Sequence, residues 1–94
     1  MMQDEKTEDT KFPEANLATF ITGMMMEGLV AIGEVENPID KKKEFRQEHA
    51  KYIIDTLSML KDKMSGGATT EELSMVDGIL YELRMKYVAH KDGE

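Results

Sequence analysis

Two histidines and a scatter of carboxylates and hydroxyls are the only groups in this 94-residue chain with chemistry to offer. His49 has Glu48 beside it and Glu44 five positions earlier, and His90 lies two positions from Asp92. A histidine next to a carboxylate can move protons or ligate a metal. A zinc site needs three or four convergent ligands, commonly two histidines one helical turn apart or paired cysteines, and the chain contains no cysteine. On a helix His49 shares a face with Phe45, Tyr52, Ile53 and Thr56, which reads as a half-exposed histidine at the edge of a packed surface. His90 and Asp92 fall where a last helix is expected to fray. Ser58, Ser65 and Ser74 have no base placed by any recognisable motif, and the paired Glu71 and Glu72 are cap residues first. No phosphate-cradling glycine loop, nucleophile elbow or calcium-binding loop occurs. The residues therefore assign no catalytic, cofactor-binding or metal-ligating set, and an enzymatic role has no support.

Charge narrows the partners. The net charge of −7 and pI near 4.8 argue against nucleic acid, because phosphate binding requires a basic face. Without cysteine there is no disulfide framework. The first fourteen residues are charged and lack the apolar core of a signal peptide, so a cytoplasmic, bacterial-type protein is expected. One domain is expected over residues 13–90, preceded by a disordered acidic tail over 1–12 and followed by a loose C-terminus over 91–94.

The element that must position everything else is the stretch Ala15–Gly33, in which Glu27 is the only formal charge. If helical, it carries one apolar stripe through Leu17, Ile21, Met24, Gly28 and Ala31, and another through Ala18, Ile21, Met25, Leu29 and Ile32. Only a narrow polar line, Asn16, Thr19, Gly23, Glu27, Val30 and Glu34, is left. Pro13 suits a first turn, Phe12 is expected to staple onto Leu17, and Gly33 suits a C-terminal stop. The length would reach across a membrane, but Glu27, Asn16 and two threonines oppose that reading, so no membrane span is expected.

Asn37-Pro38 marks a turn, and Lys41–Lys43 a solvated basic loop. From about Glu44 to Met64, the positions Arg46, Ala50, Ile53, Leu57, Leu60 and Met64 alternate spacings of 4 and 3, the period of an amphipathic helix. Gly66-Gly67 ends it. Thr69 and Glu72 form a capping box at the head of a third helix, whose stripe is Leu73, Val76, Leu80, Leu83 and Tyr87. Met75, Ile79 and Val88 broaden that stripe. No alternating strand pattern or hairpin turn occurs. The expected fold is all-α, with three helices. Helices 2 and 3 form an antiparallel hairpin across the short Ser65–Ala68 link.

Two single stripes cannot cover a first helix that is apolar over most of its circumference. Helix 1 is accordingly expected to be shared in a homo-oligomer core, most simply a homodimer, with Ile21, Met24, Met25, Gly28, Leu29 and Ile32 at the interface. Glu27 at the border of that face is expected to face water along the polar line; the alternative is a structural ion pair with Arg84 or Arg46.

Several segments together, Leu29–Glu34 (LVAIGE), Asn37-Pro38, Ile54–Lys63 (IDTLSMLKDK), the GATTEE helix start and Leu80–Val88 (LYELRMKYV), resemble a small uncharacterised bacterial family, the domain of unknown function numbered eighteen forty-four. The similarity runs from about Leu17 to Val88. The family pattern has a histidine near Ala31, absent here, so no histidine-based site is implied. The resemblance implies a small helical cytosolic domain and brings no activity, cofactor or partner with it. The expected role is that of a non-enzymatic helical protein that self-associates and docks a protein partner through helix 1. The alternative is a module binding a small apolar ligand or lipid in a methionine-rich pocket.

Overall fold

In the computed structural model, residues 12–93 are described; the expected acidic tail lies outside them except for Phe12, as does Glu94. The chain forms three helices, α1 (Leu17–Ile32), α2 (Gln47–Lys63) and α3 (Thr70–Gly93), and the described residues contain no strand. The fold is all-α.

Local chemistry sets the ends of each helix. Asn16 caps α1, its Oδ1 accepting the Thr19 N–H at 2.9 Å. Gly33 closes α1 in the left-handed region at φ 94°, where a side chain would be strained, and its N–H donates to the Leu29 carbonyl at 3.1 Å. The capping box forms at α3: the Glu72 N–H donates to Thr69 Oγ1 at 3.0 Å and the Thr69 N–H to Glu72 Oε1 at 2.9 Å. Phe12 is 86% exposed and does not staple onto the helix.

α2 begins three residues later than the periodicity suggests. The reason is tertiary: the Arg46 N–H is drawn to the Ala31 carbonyl at 2.7 Å, and Arg46 stays extended at φ −102°, ψ 91°. The Arg46 guanidinium turns back to Glu44 at 2.9 Å and Asp40 at 3.4 Å. The loop before it is tightened by the Ile39 N–H donating to Asn37 Oδ1 at 2.8 Å. α3 continues to Gly93, so residues 91–93 are helical.

All three helices contribute to one core, from Ile21 and Ile32 on α1, Ile53 and Leu57 on α2, and Leu80 and Leu83 on α3, each at most 2% exposed. Among the described residues no polar or charged side chain is buried in it. Gly28 is a point of close packing. A Cβ there would stand 3.1 Å from both Leu83 methyls and 3.2 Å from Ile53 Cγ2, so α1 sits directly on side chains of both α2 and α3. Phe45, just ahead of α2, lies edge-on to Tyr87 with ring centroids 5.6 Å apart and stacks on His90 at 5.7 Å. Lys61, late in α2, pairs with Asp77 in the first half of α3.

This packing covers more of α1 than the stripe argument allows. Ile21, Gly28 and Ile32, expected at an interface between copies, are enclosed by the chain itself. Met24, Met25 and Leu29 are half-buried against the same core. The side of α1 left outside carries Asn16, Phe20, Gly23, Met26 and Glu27. The physical reason is that a side-chain-free Gly28 lets two neighbouring helices settle close to α1 at once.

Candidate functional site

Three surface features gather chemistry or apolar area: two histidine–carboxylate pairs and the outer face of α3. Glu27, near the middle of α1, meets His49 near the start of α2, with Oε2 and Nε2 3.0 Å apart. Among the described residues no ion pair joins Glu27 to Arg84, which lies exposed on α3. Both partners are about half exposed, at 51% and 41%, so Glu27 is a solvated surface carboxylate rather than a buried one. Beside the pair is an open apolar groove of about 540 Å³, walled by Met26, Val30, Val35, Pro38 and Ile39. Of the three consecutive methionines only Met26 lines it.

The second pair joins Glu34, just beyond the end of α1, to His90 in the last turn of α3, with Oε2 and Nε2 2.8 Å apart. Lys86 Nζ stands 3.9 Å from the other Glu34 oxygen, and the His90 ring rests on Phe45. The hydrogen bond from His90 holds the Glu34 carboxyl below its ordinary value of 4.5; partial desolvation opposes this, and the charges of Lys86, His90 and Lys43 add to it. The pairs bridge 22 and 56 residues, distances over which sequence spacing carries no signal. Each consists of one histidine and one carboxylate. Among the described residues no group of three or more potential ligands converges as a metal site would require.

The third feature is apolar. The sequence spacing groups Val88 with the packed stripe of helix 3, yet it is 53% exposed, and Tyr81 and Met85 are 66% and 55% exposed. The three recur at spacings of 4 and 3, so they line one side of α3, opposite the buried Val76, Leu80 and Leu83. With Asp77, Arg84 and Ala89 they border a shallow depression of about 690 Å³. α3 thus has two apolar stripes, one spent on the core and one turned to solvent. The signal for the second was present in the sequence, as the same 4-and-3 spacing on the far side of the helix.

Among the described residues no helix is long and apolar enough to cross a membrane. No curated protein and no solved structure matches the chain. A family model does match, over residues 14–89, and by that match the chain belongs to the family described as domain of unknown function DUF1844.

Proposed function

We propose that this chain is a non-enzymatic helical module that works by association, with a second copy of itself as its first partner. The observation that carries the reading is the exposed apolar stripe Tyr81, Met85 and Val88 on α3, a contiguous patch of the kind that marks an interaction surface on a small protein. α2 and α3 are read as an antiparallel hairpin, supported by Phe45 at the head of α2 lying against Tyr87 and His90 late in α3. Helix 1 contributes less than its composition suggests, since Ile21, Gly28 and Ile32 are spent on the core; Phe20 and Met26 remain available at its outer side. Sedimentation equilibrium tests the reading. The weight-average mass is expected to rise from 10.7 kDa toward a dimer as concentration increases to about 500 µM. A mass fixed at that of one chain across the range refutes it.

A second reading, binding of a small apolar ligand, is favoured by the groove between Met26, Val30, Val35 and Ile39, in which Ile39 is 90% exposed. Native mass spectrometry of the purified protein would show a bound mass that disappears in Val30→Asp. Spectra showing the bare chain alone count against it.

A further inference from the structure

We infer that the outer face of α3 packs against the same face of a second copy, the two helices antiparallel about a two-fold axis beside Tyr81. The inference rests on the self-association proposed above and names the surface and register that perform it.

Charge selects the register. Asp77 and Arg84 lie seven positions apart, two helical turns, and therefore sit on the same flank of the exposed stripe. A two-fold axis perpendicular to two antiparallel helices sets like flank against like flank and reverses the order along the helix. A residue a given distance before the axis then faces the residue the same distance after it in the other copy. With the axis midway between the two charges, Asp77 of each copy faces Arg84 of the other, forming two ion pairs. Sliding the axis one turn toward the C-terminus brings Arg84 against Arg84, and one turn the other way brings Asp77 against Asp77. On this flank like charges penalise both slips, so the Asp77–Arg84 pairing favours one alignment over its neighbours. Asp77 already pairs with Lys61 of its own chain, but a carboxylate has acceptor capacity for both cations.

Shape agrees with charge at that alignment. Tyr81 falls over Tyr81 of the second copy. Met85 and Val88 fall within about 3 Å along the helix of the levels of Gly78 and Ser74, so large side chains meet small ones. Gly78 and Ser74 are both exposed, and a Cβ built at Gly78 would meet nothing within 4 Å, leaving room for the Met85 side chain. α3, with 24 residues, is the longest helix and presents this stripe without interruption. One helix pair buries less than a standard interface, so the dimer is expected to be weak, with a dissociation constant on the order of micromolar to tens of micromolar.

Sedimentation equilibrium on the full chain and four surface variants is the test, with circular dichroism verifying that each remains helical. Tyr81→Glu is expected to leave only single chains. Asp77→Arg and Arg84→Asp each weaken the dimer by about tenfold or more, and the double swap D77R/R84D restores it to within about threefold of the parent. If the parent dimerises but none of these variants changes its constant, association uses another surface; the α3 register is overturned while the self-association reading stands. If the parent stays a single chain, or forms only a complex with a different protein through α3, both fall.

Discussion

Gly28→Ala is the substitution on which the packing of α1 can be judged. Alanine is favoured over glycine inside a helix by about 1 kcal/mol, so on local grounds the change should stabilise. The tertiary surroundings oppose it. The new methyl would stand 3.1 Å from Cδ1 and Cδ2 of Leu83 and 3.2 Å from Cγ2 of Ile53, roughly half an ångström inside ordinary contact. Leu83 cannot relieve this by turning one methyl away, because both are equally close. Ile53 is β-branched, with its Cγ2 fixed to a stiff χ1. Leu83 and Ile53 are 0% and 1% exposed, so neither has open space to move into. Overpacking of this kind costs about 1–3 kcal/mol, which exceeds the helical gain, and a net loss of about 1 kcal/mol is expected. Gly23→Ala is the matched comparison: a Cβ there meets nothing within 4 Å, and a gain of about 1 kcal/mol is expected. Urea unfolding followed by circular dichroism should therefore separate the two variants by about 2 kcal/mol in opposite directions. In a domain of this size each kcal/mol moves the melting temperature by about 4–8 °C. If Gly28→Ala stabilises as much as Gly23→Ala, α1 does not rest on Leu83 and Ile53, and the account of why helix 1 is covered within its own chain fails.

The other expectations are smaller. Thr69→Ala removes the acceptor of the Glu72 N–H and should cost about 1 kcal/mol, read as a lower urea midpoint. Glu27→Ala should cost less than about 1 kcal/mol at neutral pH, because the Glu27–His49 pair is half exposed; a loss of several kcal/mol would show that the carboxylate is buried. Glu34 has a folded-state value depressed below 4.5, so its share of stability is complete above that value and is lost as pH falls through the depressed one. Glu34→Gln should accordingly bring parent and variant together as pH drops from about 5 toward 3, with a difference at pH 7 below about 1 kcal/mol because the group is one-third exposed. A gap that widens with acid would contradict the assignment.

What the residues alone determined is local. A capping box closes on itself within four positions, so Thr69 and Glu72 announce the head of α3 wherever the helix packs. Gly33 marks the end of α1 because only glycine adopts its backbone easily. The 4-and-3 spacing from Ala50 to Met64 orients α2, since one side of it is polar. α1 is different: a helix apolar nearly all round does not declare in sequence which side its neighbours will take. That choice was made by the close seat of Gly28 on Leu83 and Ile53, which took in Ile21 and Ile32 and left Phe20 and Met26 outside. α2 lost its first expected turn to a backbone bond from Arg46 to Ala31, a contact across fifteen residues. Both histidines found their carboxylates on or beside α1 in the same way, through packing of distant segments. Side-chain pattern and capping thus decided that there would be three helices; only their mutual packing decided which apolar faces were consumed and which, like the outer stripe of α3, stayed exposed.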